Sequence, residues 1–297
     1  MSTTMANNTK EHRSFKDNFL RDIKAATLEF FGTATFILLG LGAIQAGSIN
    51  DGSSLERLMY YATSMGLSLL VAAWLFYRVR GGLFNPNISL ALCLARVISP
   101  TRFVLYCIAQ LAGAIAGAAL VRALTPEPYN VNVTLNNHIN KPQGVFIEMF
   151  ITAALVLSVL MLAVGRHENA AFAPIGVGLT LFACHLFALT YTGASMNTAR
   201  AFGPAVVSGF PYRNHWVYWL GPFLGSLLGF ALFTLVKRYR KWTINHGEQA
   251  TDYAYNNNGR GRSGSLTGHR SSADYRRETN GGLDHGGVTN GGMKTAV

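Results

Sequence analysis

Leu83-Phe84-Asn85-Pro86-Asn87 and Ser195-Met196-Asn197-Thr198-Ala199-Arg200 interrupt an otherwise apolar chain at matching places. Each tract puts an Asn at the head of a short apolar piece, and each follows a segment long enough to cross a bilayer. The two asparagines stand 112 residues apart. The same offset lays Tyr106-Cys107-Ile108-Ala109-Gln110-Leu111-Ala112-Gly113 on Tyr218-Trp219-Leu220-Gly221-Pro222-Phe223-Leu224-Gly225, and Gly117 on Gly229. The chain is an internal duplication with a polar mark at the same point in each half.

Composition fixes the solvent. The chain is 49% hydrophobic and 13% charged, about half the usual charged fraction. Of its 25 Lys and Arg, 15 fall within residues 1–24 and 237–297. The stretch between is too poor in charge to cover a soluble domain, so the chain reads as a polytopic membrane protein. The net charge of +11 does not argue for nucleic acid, because the terminal charges flank membrane segments, where Lys and Arg mark the cytoplasmic side. Cys93, Cys107 and Cys184 lie in apolar stretches without metal-ligand spacing and read as packed thiols. No metal or cofactor is expected. There is no Walker loop, HExxH, paired Cys-x-x-Cys or dinucleotide fingerprint, so an enzyme is not expected either. The first apolar run lacks a cleavage-site pattern and is expected to remain as a span.

A span needs roughly 20 mostly apolar residues. Six segments qualify: about 25–46, 57–77, 102–124, 144–165, 171–191 and 216–236. Two more, about 86–95 and 198–207, reach halfway. The expected fold is all-α: six transmembrane helices plus two re-entrant half-helices. Three spans per half force the second repeat to enter from the opposite side, so the repeats (about 25–124 and 144–236) are inverted and the half-helix N-termini meet near the midplane. A cytoplasmic tail at 1–24, a membrane domain at 25–245 and a disordered cytoplasmic tail at 246–297 complete the plan. The tail is Gly-, Asn-, Ser- and Arg-rich from Thr243 onward, and carries Arg262-Ser263-Gly264-Ser265 and Arg270-Ser271-Ser272, arrangements kinases accept. The run Lys237-Arg238-Tyr239-Arg240-Lys241 puts both termini in the cytoplasm. The loop at 125–143 is then external, with an accessible Asn132-Val133-Thr134 sequon.

Asn85 and Asn197 would be ordinary N-caps on a soluble protein. Inside a membrane, non-helical backbone survives only against protein or a water-filled cavity. Two converging caps put two amide donors and two positive helix ends at one point, an environment for a permeating oxygen. Pro86 suits the first position of its half-helix; Thr198 stands there in the other. Arg200, three residues into the second half-helix, lines an aqueous path or pairs, unless it snorkels. His185, mid-span, is either a packing residue or a pore-facing donor near Arg200. Glu29 and Glu148, at matching span starts, are expected to accept hydrogen bonds from the backbone leading into each half-helix. Gly113/Gly117 and Gly225/Gly229 are small-xxx-small pairs expected on an inter-repeat face.

These features, with Gly66-Leu67-Ser68, Tyr191-Thr192-Gly193 and His215-Trp216-Val217-Tyr218-Trp219-Leu220-Gly221-Pro222, make residues 22–240 resemble the aquaporin (major intrinsic protein) family, and within it the fungal orthodox water channels. The family's paired Asn-Pro-Ala boxes correspond to Asn85-Pro86-Asn87 and Asn197-Thr198-Ala199. Each box departs at one position. The boxes abut in the family, so Asn87 and Thr198 are expected to face each other and hydrogen-bond. The resemblance puts the narrow outer filter on Met65, His185, Ala194 and Arg200. His with Arg is the water-channel pattern, whereas Met65 stands where Phe is usual. It further implies single-file conduction along carbonyls of Gly81–Phe84 and Gly193–Met196, with Asn85 and Asn197 orienting the central water and proton and ion exclusion at the half-helix ends and Arg200. Assembly as a homotetramer in the lipid bilayer, with the plasma membrane as the expected location, is implied likewise. Water is the expected permeant. A facilitator for glycerol or hydrogen peroxide is the alternative, ahead of a receptor or a proton-coupled transporter.

Overall fold

The computed structural model describes residues 15–50, 52–76, 82–163 and 172–259, the last twenty of these as backbone only. The described residues form helices and no strands: α1 (Phe15–Ser48), α2 (Ser54–Phe76), α3 (Pro86–Leu94), α4 (Pro100–Leu124), α5 (Lys141–Ala163), α6 (Ala173–Thr192), α7 (Thr198–Val207) and α8 (Val217–Gly259). All but α3 and α7 are long and apolar enough to cross a bilayer. At about 1.5 Å per residue, α3 and α7 reach about 15 Å, half of the roughly 30 Å hydrocarbon. This is the six-plus-two inverted-repeat fold.

The duplication is visible in the packing. Gly113 and Gly117 of α4 lie on the carbonyls of Phe30 and Ala34 in α1; Gly225 and Gly229 of α8 lie on those of Met149 and Ala153 in α5. A Cβ at any of the four would sit under 3.0 Å from a backbone oxygen. With no hydrophobic force between helices in lipid, such close approach is what holds them. These glycines therefore pack each repeat on itself, which corrects the expected inter-repeat face. The repeats meet elsewhere. Gly66 of α2 and Gly178 of α6, also 112 residues apart, face one another, and a Cβ on each would come within 2.9 and 2.8 Å of the other's carbonyl oxygen. That reciprocity is what a two-fold relation between inverted halves requires.

Two helices outrun the expected boundaries. α1 begins at Phe15 rather than near residue 25, and Asp22 on its extension pairs with Arg102 at the start of α4. α8 continues to Gly259, past Thr243, where the unstructured tail was expected to begin. A nucleated helix adds residues at little cost, and Glu248, Gln249 and Ala250 are good helix formers with no proline among them. The chain divides at Arg240 into the bundle and a second unit, Lys241–Val297, described only as this helical backbone. The Arg-Ser tracts of the tail, residues 1–14, 77–81 and 164–171 lie outside the described residues.

Candidate functional site

Each half-helix is entered by a short arm whose N–H groups turn inward to a carboxylate. Glu29, fully buried on α1, accepts from the N–H groups of Gly82, Leu83 and Phe84 at 2.6, 3.0 and 2.8 Å, and from Gln110 Nε2 at 2.8 Å. Glu148, fully buried on α5, accepts from the N–H of Ser195 and of Met196 at 2.9 Å each and from the Thr192 hydroxyl at 2.6 Å. Peptide units with N–H held on one side present their carbonyls to the other. The backbone shows the same device in both arms: positive φ at Gly82 and Phe84 (101° and 50°) and at Ala194 and Met196 (49° and 52°), pairs related by the 112-residue offset. Three of these four are not glycine, so the conformation is held against its intrinsic cost by the surrounding bonds. Gly81 lies outside the described residues.

At the junction Asn85 and Asn197 cap α3 and α7. Asn85 Oδ1 accepts from the N–H of Asn87 at 2.9 Å; Asn197 Oδ1 accepts from those of Ala199 and Arg200 at 2.9 and 3.3 Å. Their amides cross: Asn85 Nδ2 donates to the Met196 carbonyl at 2.8 Å and Asn197 Nδ2 to that of Phe84 at 2.7 Å. An amide nitrogen carries two N–H donors, so each Asn spends one across the junction and keeps one. The crossing also occupies a lone pair on each of two carbonyls expected to line the wall, leaving each its second. Pro86 takes the first helical position of α3. Asn87 Oδ1 accepts from both the Thr198 N–H (3.0 Å) and the Thr198 hydroxyl (2.9 Å). The Ser226 hydroxyl donates to the Asn87 carbonyl at 2.9 Å, tying α8 to the same point. Apart from the half-buried Pro86, all of these groups are at most 5% exposed.

One face above the junction opens a cavity of about 250 Å³ lined by Ile44, Tyr61, Asn130, Val131, Gly193 and Arg200 among others. Arg200 is 2% exposed, and among the described residues the protein acceptor for its guanidinium is the Val131 carbonyl, at 3.1 Å from Nη1; Nε has none. His185 is fully buried. Its Nδ1 lies 2.9 Å from the Leu181 carbonyl, which can only accept, so Nδ1 carries the proton and the unpartnered Nε2 of the neutral ring is an acceptor. Of the two readings of His185, packing residue or donor near Arg200, the second thus takes a different form: the nitrogen this tautomer leaves free is an acceptor. Met65 lies on α2 one turn from Tyr61, and Gly40 on α1 one turn from Ile44, on the faces that line the cavity. Met65 Sδ packs where Gly40 lacks a side chain: a Cβ there would be 2.7 Å away. Ala194 is fully buried and its N–H donates to the Thr192 hydroxyl at 3.1 Å. Cys184 Sγ turns to the Ile151 carbonyl of α5 at 3.7 Å, away from the side His185 presents.

The loop after α4 differs from expectation. Val131, Val133 and Leu135 are buried, and Asn132 is half-buried with Nδ2 donating to Ser208 Oγ at 2.8 Å, so the sequon asparagine is engaged rather than freely accessible. The alternation of apolar residues through Val131-Asn132-Val133-Thr134-Leu135 was the signal that this loop lies on protein. The Tyr129 hydroxyl donates to the Ala118 carbonyl at 3.1 Å, and burial pushes it up to about 12, so it stays protonated. Sequence reasoning also missed Gln45, which holds this loop to α1.

The model of the major intrinsic protein family matches residues 16–233. An aquaporin of Laccaria bicolor is 61% identical over 247 residues, covering 81% of this chain and 79% of its own length. Aquaporin-1 of Botryotinia fuckeliana is 40% identical over 243 residues, which is 81% of this chain and 52% of that longer relative. Among solved structures, the aquaglyceroporin from Plasmodium falciparum superposes with a TM-score of 0.64 at 20% identity, covering 72% of this chain and 95% of that one. That last likeness is one of fold.

Proposed function

This chain belongs to the major intrinsic protein family, a family of integral multi-pass membrane channels, and from that premise we propose that it conducts water passively and in single file while excluding protons and ions. The observations that carry the reading are a buried Arg200, steadied by one backbone carbonyl, and, within electrostatic reach of it, a buried His185 whose Nε2 is left free to accept. A guanidinium donor and an imidazole acceptor suit a water molecule, which both donates and accepts. The imidazole also fills the space a larger polyol would need.

The carbonyls turned outward from Glu29 and Glu148 would line one wall, and the remaining N–H of Asn85 and of Asn197 would donate to the oxygen at the junction. A water whose oxygen is held by two donors has no lone pair left to receive a proton along the file. The two positive half-helix ends and Arg200 raise the barrier to hydronium and metal cations. The channel would work as a homotetramer with one pore per subunit, in the plasma membrane, with both termini cytoplasmic. A second reading, a facilitator that also passes glycerol or hydrogen peroxide, is favoured by the Met65 thioether lying against Gly40 instead of filling the filter as an aromatic ring would.

His185→Gly tests the reading. In proteoliposomes the parent should be slow for glycerol and the variant at least several-fold faster, with water flux kept. Equal glycerol flux in the two would remove His185 from the filter, and fast glycerol flux in the parent would favour the facilitator.

A further inference from the structure

Arg200 is a buried cation with little to hold it. Among the described residues the ion pairs join Asp22 to Arg102 and Arg122 to Glu127, so no carboxylate stands in contact with Arg200, and Glu148 acts on it only at longer range. Its guanidinium rests on the carbonyl of Val131. The aim of that carbonyl therefore decides where the charge stands.

Val131 belongs to a stretch that does little to fix itself, its one internal bond running from the Tyr129 N–H to Glu127 Oε2 at 2.7 Å. Between Thr125 and Asn136 the backbone makes no ladder or turn bond of its own. Pro126 and Pro128 have no N–H, and their carbonyls need donors from outside the loop. Gln45, fully buried on α1, supplies them. Its Nε2 donates to the carbonyls of Pro126 at 3.0 Å and Pro128 at 2.8 Å, and its Oε1 accepts from the N–H of Asn130 at 2.9 Å. Both amide protons and the amide oxygen are thereby used, on three residues of the five that precede Val131. The last of them, Asn130, shares a peptide bond with Val131. Before Val131 the other ties are side-chain ones, Glu127 to Arg122 and to the Tyr129 N–H and the Tyr129 hydroxyl to the Ala118 carbonyl, and none of them reaches Asn130; those of Asn132 to Ser208 and of Asn136 to Thr190 and Tyr191 lie beyond Val131.

We propose that Gln45 is a positioning residue for the selectivity filter: from α1, and without touching Arg200, it locks residues 126–130 so that the Val131 carbonyl holds the Arg200 guanidinium across the pore mouth. The assignment rests on the reading of Arg200 as a filter residue. It makes a buried glutamine on the first helix, separated from the filter by a loop, a determinant of what the channel excludes.

The test compares full-length parent, Gln45→Met, Arg200→Val and the double variant in proteoliposomes, reading osmotic water flux and proton flux from one preparation, with oligomer elution as the control for assembly. Met keeps the volume and loses all three bonds. Gln45→Met should raise the ratio of proton to water flux several-fold, less than Arg200→Val does, and the double variant should leak no more than Arg200→Val alone. Gln45→Glu keeps an acceptor for Asn130, should fall between parent and Gln45→Met, and carries the comparison should the methionine variant fail to assemble. A parent-like ratio in both Gln45 variants, with Arg200→Val leaky, overturns the proposal and leaves the filter reading standing. Leaks that multiply in the double variant also overturn it, since Gln45 would then act by another route. A parent-like ratio in Arg200→Val overturns both.

Discussion

Replacing Thr198 by proline should destabilise this protein, and replacing Asn87 by alanine as well should restore about half of the loss instead of adding to it. The backbone at the site is ready for proline. Asn197 has φ −151° and ψ 112°, almost the values of Asn85 (φ −153°, ψ 116°), which already precedes Pro86. Residues before proline favour that region, and proline suits the first helical position. Thr198→Pro therefore costs little in backbone. What it costs is the partner of Asn87 Oδ1, which accepts from both the N–H and the hydroxyl of Thr198. An orphaned buried acceptor costs about 1–3 kcal/mol. Asn87→Ala orphans the Thr198 N–H at a similar cost of about 1–3 kcal/mol, while the hydroxyl retains the Tyr218 carbonyl at 3.2 Å. The bonds to the Asn87 backbone, from Ser226 and to Asn85, survive in alanine. The double variant removes donors and acceptor together and should lose about 1 kcal/mol, roughly the net worth of the bonds. With each single loss near 2 kcal/mol the coupling is then about 3 kcal/mol, well above the ~0.5 kcal/mol within which independent sites add. Reversible unfolding of the four proteins by SDS titration in mixed micelles measures it. Additive losses would refute the view that Asn87 and Thr198 are one compensated contact.

Gly40→Ala should put a methyl 2.7 Å from Met65 Sδ, and the thioether, being flexible, should be the part that yields. The substitution should lower hydrogen peroxide flux more than water flux in light-scattering and peroxide-probe assays, and Met65→Ala should abolish the difference; an unchanged ratio would mean that the thioether has other room. Mercurials should leave the unmodified channel open, because Cys184 faces α5 and no thiol stands at Ala194, whereas Ala194→Cys should confer reversible block of water flux. Strong block of the parent, abolished by Cys184→Ser, would mean that α6 turns Cys184 toward the pore and His185 away from it.

The membrane fold was legible because its signals are local or repeated. Length and hydropathy mark the spans, an Asn before each short apolar piece marks the caps, and a fixed offset marks the duplication. The Asn87–Thr198 contact was legible for a related reason: two boxes that abut and each depart at one position suggest one contact. What escaped rests on partners far apart in sequence. Gln45 bonds to main chain more than 80 residues away, and a side chain that recognises carbonyls leaves no periodic trace. Gly66 and Gly178 share the 112-residue offset as fully as Gly113 and Gly225, but spacing does not say which glycine faces its own repeat and which faces the other. The protonation of His185 depended on a carbonyl one turn back, a matter of side-chain rotamer. The helical extension of α8 came from continuity with a strong span, against a composition that reads as coil.

The most direct test of the central claim is a single stopped-flow experiment on proteoliposomes of the unmodified protein, measuring osmotic shrinkage, glycerol entry and dissipation of a proton gradient in one preparation. A proton-excluding water channel should give rapid shrinkage with low activation energy, glycerol entry far slower, and a proton leak no greater than that of protein-free vesicles. Shrinkage at the rate of empty vesicles, or protons crossing along with the water, would contradict it.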